Sequence, residues 1–293
     1  MKKISIIGIG RMGGALALAL SKKGYTIEQL ISKNLKNAEI IAEKLNNKPE
    51  ILSYSKLEKV NSSDVVFITT QDDRITEVAV ALSQKISPGK IVFHTSGSLS
   101  SQVLSVLKGC YKASLHPLIS VSNPFTGSEN LKNAFFCLEG DEKAVELGKR
   151  IVFDLEGQFF FVRTEDKPLY HAAAVITAGH LVALFQVAVK LLSKCGISEP
   201  EAQKIFLPLA KSVIKNLETQ PPEKALTGTF ARADVETMKQ HLRAIKQKKL
   251  DDVLEIYSKL GLISLELSQK VNPDLKEQIE KMKAEITDFL SKK

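Results

Sequence analysis

Apolar and polar residues follow two different patterns along this chain of 293 residues. Up to about residue 165, short apolar runs typical of buried strands alternate with stretches that have helical spacing. Beyond Lys167 the pattern is helical, with breaks at residues 196–200, 220–222, 227–234 and 272–273. The change predicts an α/β N-terminal domain over residues 1–165 and an all-α C-terminal domain over residues 166–293. The expected strands cover residues 4–9, 65–70, 91–94, 113–115, 135–138 and 158–162.

A glycine-rich turn follows the first predicted strand. Gly8, Gly10 and Gly13 form a G-x-G-x-x-G pattern that encloses Arg11 and Met12 and opens a helix rich in Ala and Leu. In this context the first glycine permits a tight turn, the second lets a pyrophosphate approach the backbone, and the third lets helix and strand pack closely. The helix N-terminus adds amides for the phosphates. The first domain is therefore predicted to be Rossmann-like and to bind a dinucleotide.

A further strand is predicted directly after the helix that follows the glycine turn, and its end indicates which dinucleotide is bound. An Asp or Glu there would bind the 2′-hydroxyl of NAD, but the chain has Ser32, Lys33 and Asn34. Hydroxyl, cation and amide groups suit a 2′-phosphate, and Arg11 offers a second cation. The sequence therefore favours NADP, the alternative being that Lys33 is an ordinary solvated lysine.

Polar residues at the ends of two further strands are the next candidates for cofactor contacts. Thr70 and Gln71 end one apolar run, and Ser96 follows another. In doubly wound sheets ligands bind at the carboxyl ends of the strands, so these side chains are expected to face the nicotinamide. Strand-end hydroxyls also bond the local backbone, and that alternative stays open.

A polar loop interrupts the helical domain. Thr227, Arg232 and Asp234 combine a hydroxyl, a guanidinium and a carboxylate between helices. Arg232 is the candidate clamp for a small anionic substrate, because its planar group can hold both oxygens of a carboxylate, and Thr227 could assist it. For Asp234, capping of the following helix is favoured over orienting Arg232.

Two histidines are candidates for proton transfer in the reduction of a keto acid. His116 follows a predicted strand, and His171 lies near the start of the apolar helix at the domain junction. A histidine can donate a proton near neutral pH. Each also has a structural alternative, a turn cap for His116 and a satisfied buried position for His171.

Composition narrows the class of protein. The formal charge is +8 at pH 7, but the lysines are scattered without an aromatic-basic stripe, so nucleic acid is not an expected partner. Three cysteines without CxxC spacing indicate neither a disulfide framework nor a metal site, and are expected to be reduced core residues. A soluble cytoplasmic enzyme is expected.

One apolar segment resembles a membrane span. Residues 172–189 have the necessary length, but His180 and Gln186 interrupt them, so a buried central helix is expected and no membrane. A second apolar stripe, at helical spacing, favours a homodimer, although it could equally pack within its own bundle. The stripe consists of Ile256, Leu260, Ile263 and Leu267.

Several motifs together resemble those of a known family. They are the glycine turn and residues 94–98 (HTSGS), 114–118 (SLHPL), 170–175 (YHAAAV) and 226–234. The chain resembles two-domain proteins that pair a Rossmann-like domain with a C-terminal domain of unknown function, similar to that of 6-phosphogluconate dehydrogenase. The related proteins commonly dimerise through this domain. A similar His-Pro stretch serves the substrate in prephenate dehydrogenases, which implies the same for His116.

The resemblance implies an activity but leaves alternatives. Some members of the family are similar to an alternative ketopantoate reductase, so NADP-dependent reduction of ketopantoate (2-dehydropantoate) to pantoate, for coenzyme A synthesis, is the leading expectation. Gly179 stands where the family usually has an Asn, and the Lys and Glu motifs of ordinary ketopantoate reductases are not matched. The alternatives are an imine reductase or prephenate-type dehydrogenase, and a non-catalytic NADPH sensor.

Overall fold

The computed structural model describes residues 2–291, which form two compact units divided between His180 and Leu181. The first unit is built on one eight-stranded sheet of order β3-β2-β1-β4-β5-β6-β7-β8. All neighbouring strands are parallel except β6 and β7. The strands are β1 Lys3–Ile7, β2 Thr26–Ile31, β3 Glu50–Leu52, β4 Val65–Ile68, β5 Ile91–His94, β6 Tyr111–Pro117, β7 Phe135–Gly140 and β8 Gln158–Phe161.

Helices cover both faces of this sheet, because successive apolar residues of each strand point to opposite sides. Phe67 and Phe93 stack in the core on one face, with ring centroids 5.0 Å apart, and Val66 and Val92 lie in the core on the other. The helices of this unit are α1 Arg11–Lys22, α2 Leu35–Ala42, α3 Asp72–Ser83, α4 Pro124–Asn130, α5 Glu142–Asp154 and α6 Lys167–Val175, followed by a π-helical turn Ile176–His180.

The second unit is helical throughout its described residues. Its core cluster includes Met238, Leu242, Leu265, Ile279 and Met282. The helices are α7 Leu181–Ser193, α8 Glu199–Thr219, α9 Pro222–Ala225, α10 Val235–Gln247, α11 Asp251–Val271 and α12 Lys276–Ser291. The predicted pairing of a Rossmann-like α/β domain with an all-α domain is thereby confirmed; residues 1, 292 and 293 of the predicted ranges lie outside the described chain.

Three local expectations differ from the structure. The sheet unit continues to His180, beyond the boundary expected at residue 165, and so includes α6, whose Lys167 Nζ donates to Ser114 Oγ on β6. The apolar segment is not a buried helix: Thr164–Ser193 is long and apolar enough to cross a membrane by length and composition, and 6% of its most apolar window is buried. Cys110 and Cys137 are buried, but Cys195 is exposed.

Candidate functional site

The glycine turn borders a cleft of about 540 Å³ at the carboxyl ends of β1, β2 and β4. Gly8 has φ +101°, and a Cβ there would lie 2.8 Å from the Thr70 amide nitrogen. A Cβ on Gly13 would lie 2.2 Å from the Gly8 carbonyl oxygen. A Cβ on Gly10 would meet nothing within 4 Å. Two glycines therefore bring the loop against the strands, and the third leaves open space at the helix N-terminus.

Features of this cleft fit a dinucleotide. No side chain caps the N-terminus of α1, and its first turn contains no acidic residue, so its positive dipole end and free amides remain for phosphates. The hydroxyl of Thr70 is buried and has no hydrogen-bond partner, which is unusual without a ligand. Thr70 and Gln71 both line the cleft, and their contact with the nicotinamide stays a prediction.

The predicted 2′-phosphate residues also line this cleft, but they contribute differently. Ser32 Oγ accepts from the Asn34 amide (3.2 Å), and Asn34 Oδ1 caps α2 by accepting from the Asn37 amide (3.4 Å). Lys33 is exposed, with Nζ 5.9 Å from the ring centroid of Tyr54. Lys33 is thus the group left to pair with a phosphate. Arg74, which the sequence analysis missed, lines the same cleft.

Two residues inside the glycine motif do not contribute side chains to this cleft. Met12 packs against the core cluster, and Arg11 is exposed at the first position of α1. The second cation expected from Arg11 is therefore not found among the cleft-lining residues of the described chain. Both residues offer backbone amides in the first turn of the helix.

A second cavity, of about 640 Å³, lies in the sheet unit beside the end of β6. His116 and His171 line it, as do Tyr170 and Ser120. The remaining walls are mostly apolar, and part of them comes from the π-helical turn, a feature often associated with functional sites. These lining residues are Leu118, Ile119, Phe160, Ala173, Ala174, Val175, Thr177, Ala178 and Gly179.

His116 forms a short hydrogen bond inside the unit. Its Nδ1 lies 2.6 Å from the hydroxyl of Tyr170, and burial raises the pKa of that phenol, with a smaller contribution from Cys137. The phenol therefore stays protonated and can donate to Nδ1; in that tautomer the histidine proton is on Nε2. Burial, and next the positive charge of Lys167, lower the pKa of His116 to about 3.

This environment changes the role expected for His116. A ring with a pKa of about 3 is neutral at neutral pH, so it does not fit the expected titrating proton donor. A neutral imidazole can still polarise a substrate by donating a hydrogen bond from Nε2. His171 lies beside it, with ring centroids 6.0 Å apart at an interplanar angle of 81°.

Lys167, like Arg74, was missed by the sequence analysis. Its side chain is 0% exposed, and Nζ donates to Ser114 Oγ (2.7 Å) and to the Ser96 carbonyl oxygen (3.3 Å). Burial lowers its pKa. The only hint was its position at the start of a helix, three residues before Tyr170; the sheet pairing that brings Ser96 and Ser114 together is not visible in the sequence.

The Ser96 side chain is occupied by protein partners. Ser96 Oγ donates to Asp72 Oδ2 (2.7 Å) and accepts from the amides of Ser98 and Leu99. The local bonding alternative thus describes its hydroxyl, and the expected cofactor contact of Ser96 stays a prediction. Gly97, the next residue, lies close to both rings: a Cβ there would be 2.5 Å from His171 Cδ2 and 2.9 Å from His116 Nε2, so a ring would have to shift.

The remaining predicted residues lie in the helical unit. Asp234 Oδ1 accepts from the Thr237 amide (3.1 Å) and caps α10, as favoured from the sequence. The Thr237 hydroxyl, which donates to Asp234 Oδ2 (2.7 Å), and next this amide lower the pKa of Asp234. Arg232 is exposed near it, in the loop that contains Thr227. Their roles toward a substrate stay predictions.

Comparisons with known proteins agree with this architecture. Residues 3–96 match the family described as NADP oxidoreductase coenzyme F420-dependent, and residues 134–263 match a domain of unknown function (DUF2520). These matches confirm the predicted NADP cofactor, the oxidoreductase class, and the pairing with a domain of unknown function. The ketopantoate reductase resemblance is not part of these matches.

Solved structures share the fold over nearly the whole chain. A Thermotoga maritima protein is 26% identical with a TM-score of 0.72, covering 92% of this chain and 99% of that one. A Bacteroides fragilis protein assigned to the NADP oxidoreductases is 22% identical with a TM-score of 0.71, covering 90% and 98%. A Plasmodium falciparum pyrroline carboxylate reductase with NADP bound is 13% identical with a TM-score of 0.59, covering 97% of each chain. The chain spans about half the length of the curated relatives it matches, 49% and 40%.

Proposed function

We propose that this protein is an NADP-dependent reductase of a small carboxylate substrate carrying a C=O or C=N bond, with ketopantoate as the first candidate. The observation that carries the proposal is the cavity beside His116, at the carboxyl edge of the sheet that also forms the glycine cleft. When bound, NADPH supplies the hydride. The cavity volume is within the range of small-molecule sites.

The residues of the cavity have separate tasks in such a reaction. His116, held through Nδ1 by Tyr170, directs its Nε2 proton at the substrate oxygen and stabilises the charge that develops there. The alkoxide then takes its proton from solvent water, and His116 keeps its own. The apolar walls exclude water and take the carbon chain of the substrate. Arg232 and Thr227 belong to the helical unit and not to the lining of the cavity, and they stay the proposed carboxylate clamp.

The test is NADPH oxidation by purified protein with ketopantoate, beside pyrroline carboxylate and a panel of simple 2-keto acids. Turnover of ketopantoate alone supports the leading substrate. If the protein turns over an apolar keto acid such as ketoisocaproate but not ketopantoate, a keto acid that fits the apolar walls replaces ketopantoate as the proposed substrate. NADPH binding without turnover on any of these compounds overturns the reductase proposal in favour of a sensor.

Imine reduction is the second candidate, and the neutral state of His116 favours it. Reduction of a ketone leaves an alkoxide that needs a proton, whereas a protonated imine brings its proton with it. A cavity whose histidine is neutral at neutral pH suits the second case. Faster turnover of pyrroline carboxylate than of any keto acid would establish this candidate.

We also propose a homodimer that covers the apolar faces of α7 and α8. Val182 on α7 is 71% exposed and Leu209 on α8 is 60% exposed. Lys211 and Lys215, also on α8, are exposed and would be costly in hydrocarbon, so a second copy of the chain is the better occupant. Light scattering in detergent-free buffer should give the mass of two chains, and Leu209→Glu should give one; a monomeric wild type would refute this proposal.

A further inference from the structure

A buried lysine, Lys167, lies beside the candidate site, where the charges of Glu139 and Asp72 act on it. Its side chain is completely buried, and its Nζ hydrogen-bonds Ser114 Oγ and the Ser96 carbonyl rather than a carboxylate. An unpaired buried charge is costly unless it is hydrogen-bonded. Its two partners, Ser114 Oγ and the Ser96 carbonyl, are neutral.

The carboxylates of this region have other donors. Asp72 accepts from the hydroxyls of Ser96 (2.7 Å) and Ser98 (2.8 Å). Glu139 accepts from the amide and hydroxyl of Ser101, at 2.9 and 2.6 Å. The charges of both carboxylates partly offset the effect of burial on the pKa of Lys167. The direct contact of Lys167 is its hydrogen bond to the Ser96–Gly97 peptide. The titratable groups around Lys167 and His116 are Asp72, His94, Cys137, Glu139, Tyr170 and His171.

The Ser96–Gly97 peptide is held from its carbonyl side. The Ser96 oxygen accepts from Lys167 Nζ (3.3 Å) and Ser114 Oγ (3.2 Å). No cis peptide occurs in the described chain, and in a trans peptide the N–H points opposite to the C=O. The Gly97 amide therefore points away from Lys167.

The Gly97 amide is a hydrogen-bond donor that has no acceptor among the described residues. Gly97 is buried, and no hydrogen bond of the described residues uses its N–H. Buried backbone amides are almost always paired. A Cβ on Gly97 would lie 2.9 Å from His116 Nε2, so the glycine lies against the ring atom that carries the other free donor.

We infer that the Gly97 amide and His116 Nε2–H together bind one oxygen of the substrate, and that Lys167 is the positioning residue that holds the Ser96–Gly97 peptide in this orientation. The inference rests on the proposed function for the identity of the substrate as a carbonyl or carboxylate compound. Two donors converging on one oxygen are the arrangement that stabilises a developing oxyanion. The assignment extends the site to a lysine that does not touch the substrate.

The experiment compares Lys167→Met, which keeps most of the side-chain length and removes the charge, with Lys211→Met on the exposed surface of α8. Ketoisocaproate binding to the NADP⁺ complex is measured by calorimetry. Lys167→Met should weaken it at least about tenfold, with the melting temperature and NADP⁺ affinity kept, and Lys211→Met should leave it unchanged. A Lys167→Met protein that folds and binds ketoisocaproate like the wild type overturns the inference.

A second readout works without any substrate. Nitrogen-15 spectra should show the His116 ring protonated on Nε2 in the wild type, with its pKa raised and the Gly97 amide signal moved in Lys167→Met. Spectra unchanged by the substitution refute the role of Lys167. Failure of the wild type to bind any keto acid or imine refutes the proposed function instead, and leaves Lys167 to be judged by these spectra. If Lys167→Met does not fold, Lys167→Gln, which keeps a donor, is measured in its place.

Discussion

The described chain contains a histidine–tyrosine hydrogen bond in each unit, and the two have nearly the same geometry. His116 Nδ1 lies 2.6 Å from the Tyr170 hydroxyl, with the rings 5.7 Å apart at 78°. His241 Nδ1 lies 2.8 Å from the Tyr257 hydroxyl, with the rings 5.9 Å apart at 84°. His241 is exposed on α10, whereas His116 is enclosed beside the buried ammonium of Lys167. The geometry of a contact therefore does not define its chemistry; burial and neighbouring charge do.

Replacing each histidine in turn tests whether the two hydrogen bonds differ in their effect on turnover. His116→Ala should lower turnover on the preferred substrate about 10²- to 10³-fold, because a preorganised donor to the substrate oxygen is lost. His241→Ala removes the same kind of bond and should leave turnover within about twofold. NADPH affinity is the control for both. Equal losses in the two variants would mean that the first pair is structural as well.

The dependence of stability on acid pH tests whether the His116 ring is buried in its neutral form. The pKa of His116 is lowered to about 3 and that of His94 to about 4, mainly by burial. Both rings bind protons more readily when unfolded, so the free energy of unfolding falls as pH drops below about 6.5, by roughly 1.4 kcal/mol per pH unit for each ring. Denaturant melts at several pH values measure this slope. In His116→Ala the slope of the unfolding free energy with pH should be smaller by the contribution of one ring. An unchanged slope would contradict the neutral state of His116.

A pair of glycines tests the surroundings of the two bonds. A Cβ at Gly97 would meet His171 at 2.5 Å and His116 at 2.9 Å, while one at Gly261 would meet Phe230, beside Tyr257, at 2.8 Å. Gly97→Ala should lower substrate affinity by about tenfold or more, since overpacking displaces the donor rings. Gly261→Ala should lower only the melting temperature. Substrate affinity unaffected by Gly97→Ala would remove this glycine from the site.

Cofactor choice should be independent of both pairs. Lys33→Glu places an anion where the 2′-phosphate of NADPH would lie, so we expect roughly tenfold weaker NADPH binding and little change for NADH. Fluorescence titration with each cofactor gives the two constants. An equal effect on both would contradict the preference for NADP.

The smallest expected effect concerns the helical unit. Arg232→Ala should raise the Michaelis constant for a carboxylate substrate by a factor of several, as expected for a lost exposed cation, and leave NADPH affinity almost unchanged. Steady-state kinetics on the substrate found first provide the measurement. A Michaelis constant that does not move would show that the carboxylate is held within the sheet unit.

The parts predicted best from the sequence were those set by local pattern. Strand β5 has the predicted bounds, Ile91–His94, because its short apolar run is a local signal. The strand β3 was not predicted: it has three residues and lies at the sheet edge, so its apolar run is too short to recognise. The glycine turn was identified because its motif requires particular backbone positions, which the sequence shows directly.

The second cavity could be predicted only in part, because its groups come from distant segments. His116 and His171 were candidates by residue type, but the neutral state of His116 depends on burial and on Lys167, 51 positions later in the chain. Nothing local distinguishes a buried lysine from the many exposed ones. The apolar helix after it was expected to be buried, since composition reports how apolar a helix is and not what covers it.

The close approach of Gly97 to two imidazole rings also constrains how the chain can change over time. Because a methyl group at that position would require a ring to shift, changes at positions 97, 116 and 171 are coupled. A related sequence that gains a side chain at 97 should either move the rings or carry a smaller residue at 116 or 171, and in both cases the donor arrangement changes. A glycine at 97 alongside both histidines can therefore serve as a marker, in newly determined genomes, of chains that have kept this chemistry.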